Sequence, residues 1–223
     1  MDRTANLIAH ILANPDTVET GGVAYELLTE YQRGSPTGGL RLLLASSDDR
    51  VAGEAAWIAS ELSERGRFLI DDVRGMLGHR SKTVRFWALD CVLLWAGPMN
   101  GPELAFAVTL VDDPEKAVRW KALNFLLMAS LEQLRSALFH FEEHIPESPF
   151  RDELRWMLSP SALDSTGIAD RLRESSLRHR KFAAVAAARR ASVDLQCLRD
   201  AVDSDDPEVA QFARDALDRT VGL

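Results

Sequence analysis

With 223 residues, 46% of them hydrophobic, the chain has enough apolar side chains to close a core and stands outside the disordered class. Its formal net charge of −8 argues against a general nucleic-acid binder, whose affinity rests on neutralising phosphates, and permits a basic protein partner. No apolar run reaches the roughly 18 residues of a membrane span. The N-terminal stretch carries Asp2 where a secretion signal would be basic, so a cytoplasmic protein without a membrane partner is expected.

In chain order, "ANLIAHIL" and "VAYELLTEY" predict an irregular first helix pair within 1–35. Four apolar-periodic segments follow, each ahead of a second helix: "GGLRLLLAS", "RFLIDDVRGML", "PELAFAVTLV" and, near the C-terminus, "VDLQCLRDAV". Between the last two, "LEQLRSALFHF" and "SPFRDELRWML" form a degenerate pair over about 131–158. None shows the sustained alternation of a strand.

The second helices share a register. A valine is followed four residues later by an alanine at Val51 and Ala55, Val84 and Ala88, Val118 and Ala122, and Val209 and Ala213; His179 and Ala183 make a fifth copy. Three residues ahead of the anchor stand Asp48, Ser81, Ser176 and Asp206, side chains suited to cap the free N–H groups of a first helical turn. In the Val118 copy, Asp113 caps earlier and Pro114 takes the first helical position. The unit is thus a helix pair of about 30 to 34 residues, repeated about seven times in one domain spanning 1–223.

"DDPEKAVRWKAL" and "DSDDPEVAQFARDAL" resemble the second-helix signature of HEAT-like repeats, especially the short variety of bilin-lyase-type proteins. The resemblance covers most of 39–220 and implies an all-α, right-handed α-solenoid. It also implies that Arg85, Arg119 and Arg180, one residue after the anchor, join a structural ladder with turn aspartates such as Asp48, Asp112 and Asp113.

Counting from each anchor, offsets 0, 4, 7, 8 and 11 fall on one helical face. Val84, Ala88, Cys91, Val92 and Trp95, with Val118, Ala122, Phe125, Leu126 and Ala129, are therefore core. Offsets 2, 6 and 9 lie opposite; in a HEAT-like stack they line the concave surface. A wet face should be charged, yet these offsets and the bordering offset 3 hold Trp57, Phe86, Trp87, Asp90, Leu93, Trp120, Lys121, Asn124, Leu127, Phe182 and Phe212. Trp57, Phe86, Trp87, Asp90, Trp120, Lys121, Asn124, Phe182 and Phe212 are the candidate partner-binding residues, since exposed apolar surface and tryptophan mark interfaces.

The expected function is a non-catalytic protein-binding scaffold, in the manner of an immunity protein or regulatory adaptor. The HEAT-like alkylpurine DNA glycosylases are similar in size and fold; that resemblance implies a site of Trp87, Asp90, Arg119, Trp120 and Trp156. The tryptophan-to-aspartate spacing and the net charge depart from it. A bilin-lyase-like chaperone rests on repeat type alone. The basic stretch 171–190 is a second place for an anion contact, and His179 reads as a hydrogen-bonded core residue. His140 and His144 lack a third ligand nearby in sequence, and Cys91 and Cys197 read as small buried apolar residues, so no metal and no cofactor are expected.

Overall fold

The computed structural model describes residues 3–17 and 22–222; Asp2, used in the N-terminal reading, lies outside them. Among these residues are fourteen α-helices and no strand. They run as seven pairs: α1 (Arg3–Ala13) and α2 (Val23–Gln32); α3 (Leu40–Leu44) and α4 (Asp49–Glu61); α5 (Ile70–Leu77) and α6 (Lys82–Trp95); α7 (Gly101–Thr109) and α8 (Lys116–Met128); α9 (Leu131–His144) and α10 (Pro149–Met157); α11 (Ser165–Leu172) and α12 (Leu177–Arg189); α13 (Gln196–Val202) and α14 (Pro207–Val221). In every pair the two helices pack on each other. The helices group into two compact units, Met1–Ala96 with α1–α6 and Gly97–Leu223 with α7–α14.

All ten side chains expected in the core of α6 and α8 and their C-caps are buried. The alanines explain the spacing: Ala55, Ala88 and Ala122 are fully enclosed, and a larger side chain there would hold neighbouring helices apart. The capping register also holds in most copies. Asp48, Ser176 and Asp206 accept backbone N–H groups of α4, α12 and α14. Ser81 does not cap with its side chain. Pro114 lies ahead of α8, which begins at Lys116 rather than at the proline. The Arg119 guanidinium donates to the carbonyls of both Asp113 and Pro114, and this holds the segment as a turn.

In the first unit, α4 packs against both α2 and α6. Trp95 fixes one end of this core. It is 1% exposed, and its indole N–H donates to the Ser63 carbonyl at 2.6 Å. Gly66 makes room for it, because a Cβ there would stand 2.2 Å from the ring.

In the second unit, α12 is the central element. Seven consecutive residues, Lys181–Ala187, are buried, as in a helix with no solvent face. It lies alongside α8 in the same direction. At one end Lys181 Nζ donates to the Val111 carbonyl at 2.9 Å, just before α8. At the other, Arg189 donates to the carbonyls of Leu126, Leu127 and Ala129, groups that the end of a helix leaves without intrahelical partners. Burial holds the Arg189 pKa below the ordinary arginine value. The degenerate pair does form, as α9 and α10, but α12 still packs directly on α8. Finally, α14 packs on α13 and α12 and also touches α8.

Candidate functional site

The pattern assigned one face of the second helices to a partner, and the structure divides that face into two kinds of surface. In the second unit most of it is consumed internally. Phe182 and Phe212 are both 0% exposed. They are packing residues, a correction to the expected binding set, because α12 is enclosed by its neighbours and α14 folds onto it. Asn124 is buried and donates to the Trp120 carbonyl at 2.8 Å. Trp120 is half-buried, and its indole N–H donates to Asp215 of α14 at 2.8 Å. Lys121 is half-buried.

The arginine after the anchor does two jobs, one shared between copies. Arg85 donates to the His79 and Arg80 carbonyls, and Arg119 to the corresponding turn ahead of α8. Beyond its own turn, Arg119 grips Glu208 of α14 through Nε, at 2.9 Å to one carboxylate oxygen, and through a second guanidinium nitrogen. Arg180 pairs with Asp205. Asp112 is a ladder acceptor, but for Arg178 at 2.9 Å rather than for an arginine at offset 1. Asp48 serves its own helix: Arg50 holds it, and the Asp48 pKa falls to about 2. Asp113 is buried and accepts the Glu115 amide at 2.8 Å.

These contacts also settle the basic stretch. Arg171 pairs with buried Glu153 at 2.6 Å and stands over the Trp156 ring at 4.5 Å. Lys181 lies 3.6 Å from Glu208, and Arg190 donates to the Leu163 carbonyl. His179 is hydrogen-bonded as expected, with Nε2 3.2 Å from Glu153 and Nδ1 against Glu174. Its side chain is half-buried rather than part of the apolar core. Most of the basic stretch is thus spent on the chain's own carboxylates and carbonyls, while Arg173, paired with Asp170 at 3.5 Å, stays exposed. Within the residues read as a glycosylase-like site, Arg119, Trp120 and Trp156 are each committed to a different internal partner.

The His140 and His144 rings stack at 4.6 Å, and among the described residues no group of three or more potential ligands could hold a metal. Cys91 and Cys197 are buried and form no disulfide, and burial raises the Cys197 pKa. No helix of the described residues is long and apolar enough to cross a membrane.

In the first unit part of the aromatic face keeps contact with solvent. Phe86 and Trp87 of α6 are half-buried and meet edge-on at 4.9 Å; Asp90, one turn from Phe86, is also half-buried. On α4, nearly every position after the first turn is buried except Glu54, Trp57 and Glu61. These fall at helical spacing on one stripe. Trp57 is met by Tyr25 of α2, with ring centroids 4.7 Å apart and planes tilted by 58°. Tyr25 is 67% exposed.

Tyr25 was not among the candidates because the first pair has no valine–alanine anchor from which to count. Asp215 and Glu208 were also missed. Asp215 stands at offset 6 of its copy, as Trp57, Asp90 and Asn124 do in theirs, so the register alone places it on the same face.

Stacked helix pairs of this kind have counterparts among solved structures. A designed armadillo repeat protein, YIII(Dq.V1)4CPAF in complex with peptide (KR)4, matches over 98% of this chain and 99% of its own, with TM-score 0.50 and 16% identity. An engineered protein, Northeast Structural Genomics Consortium target OR366, matches over 100% of both chains, with TM-score 0.54 and 17% identity. The chain has the fold of a helical-repeat solenoid. No protein-family model and no curated protein matches it.

Proposed function

We propose that this chain is a non-catalytic protein-binding scaffold whose partner docks on the aromatic face of the first unit, at Tyr25, Trp57 and the neighbouring Phe86 and Trp87. The observation that carries the reading is the Tyr25–Trp57 pair. An aromatic ring that is 67% exposed, braced against a tryptophan on the water-facing stripe of a neighbouring helix, adds little to folding and offers a rigid anchor to a partner. The fold supports the reading in general terms, since stacked helix pairs present extended binding surfaces. The designed armadillo neighbour holds a (KR)4 peptide, and the formal charge of −8 favours a basic partner here too. Masking such a partner is the task of an immunity protein or a regulatory adaptor.

The test uses the whole chain as bait in extract of its native cell, with Tyr25→Ala and Trp120→Ala beside it. Trp120 is tied internally to Asp215, so its loss should leave capture intact. Tyr25→Ala should release the partner, weakening it by about 2 kcal/mol, or roughly thirtyfold, as hot-spot truncations do. Equal capture by Tyr25→Ala and wild type, with both folded by circular dichroism, would remove the site from this face.

A further inference from the structure

We infer that the exposed aromatic surface formed by Tyr25 and Trp57 receives a cationic side chain, arginine or lysine, from an extended segment of the partner, with Glu61 as its counter-ion. The inference rests on the binding reading above and specifies its chemistry.

The argument starts from α4. A helix buried on most sides has one narrow stripe left for water, and such stripes are ordinarily charged. On α4 that stripe reads Arg50, Glu54, Trp57, Glu61. Arg50 is already bound by Asp48 and Asp16. The tryptophan therefore sits between two glutamates, one turn away on either side, where side chains are neighbours. An indole face is electron-rich and attracts cations, most strongly among the aromatic rings. The Tyr25 ring packs against Trp57 at 4.7 Å with its plane tilted by 58°, so the two rings make one contiguous aromatic surface.

Glu61 supplies the charge. It ends α4 and is exposed, and no ion pair among the described residues engages it. The arginines that follow it in sequence are held elsewhere, Arg65 by the Gln32 carbonyl and Arg67 by Glu64. Two contiguous aromatic rings with a carboxylate one turn along α4 suit a group that is apolar along its stem and positive at its tip. Arginine and lysine have that form. An acidic or purely aliphatic side chain would leave Glu61 facing either repulsion or nothing.

The experiment is calorimetric titration of the full chain with an acetylated peptide of alternating lysine and arginine, and with a length-matched peptide of alternating glutamine and serine. The basic peptide should bind and the neutral one should not. Tyr25→Ala and Glu61→Gln should each weaken the basic peptide by roughly fivefold, the size of one cation–π or charge contact at a partly exposed site. Tyr25→Phe keeps the ring and should retain binding. Glu143→Gln removes an exposed carboxylate on α9 and should have no effect.

Equal weakening by Glu61→Gln and Glu143→Gln would mean diffuse charge attraction and would overturn the inference, as would absence of binding. If the native partner is captured in a Tyr25-dependent way while Glu61→Gln changes nothing, the docking face stands and its cationic specificity falls. If neither depends on Tyr25, both fall.

Discussion

At the scale of single residues, the ion pair of Arg119 and Glu208 shows what the second unit does with its charges. Both side chains are about four-fifths buried, and Lys181 lies close by with its ammonium almost fully enclosed. Arg119 first, and Lys181 with it, holds the Glu208 pKa below the ordinary carboxylate value. The folded state therefore prefers the carboxylate. This contribution is complete above the unfolded pKa near 4.5 and is lost as pH falls through the lower, folded value. Glu208→Gln should cost about 2 kcal/mol at pH 7, less than a fully buried pair because part of the charge is wet. The gap in melting temperature between variant and wild type should narrow as pH falls through the acid range; a gap of the same size at pH 3 would mean that charge is not what Glu208 contributes. Residues of this kind were only half legible beforehand. The register marked Arg119 as a ladder arginine, but its acceptor is 89 positions away and could be assigned only once α14 was seen against α8.

At the scale of elements, the helix pairs and their core faces could be read from the chain because they depend on local periodicity and on caps. What periodicity cannot report is how many sides of a helix are covered. Phe182 has the same offset as half-buried Trp87, yet it is fully buried because α12 is ringed by α8, α10, α11, α13 and α14. The composition of α12 held a hint: Ala183, Ala184, Ala186, Ala187 and Ala188 leave little bulk on any side. That smallness is what lets five helices approach one. Ala184→Leu should therefore overpack the unit and lower stability by about 1–3 kcal/mol. Thermal melts followed at the helical circular-dichroism signal would read this directly. A variant as stable as wild type would show that α12 has a yielding side.

At the scale of the whole molecule, stability should be distributed unevenly. Backbone amides exchange slowly where opening requires many buried contacts to break. Among the helices of the second unit, α12 should hold its amides longest. Its seven enclosed residues contrast with α11, where only Ile168 is buried, and with α1, which buries three side chains. Hydrogen exchange followed by mass spectrometry should place the α12 peptides in the slowest class and those of α1 in the fastest. Faster exchange in α12 than in α11 would contradict a central role for it.

The contact of α14 with α8 also bears on how such a chain could change in length. A regular repeat array grows or shrinks by whole modules, since each one touches only its neighbours. Here α8, α12 and α14 touch one another pairwise, so the second unit is closed upon itself. A helix pair stacked in space between α8 and α12 would have to part Lys181 from the Val111 carbonyl, Arg119 from Glu208 and Trp120 from Asp215 together, whereas α9 and α10, which follow α8 in sequence, leave α12 on α8. Stacking a new module at this point, the ordinary route by which solenoids acquire binding surface, would therefore break three contacts at once.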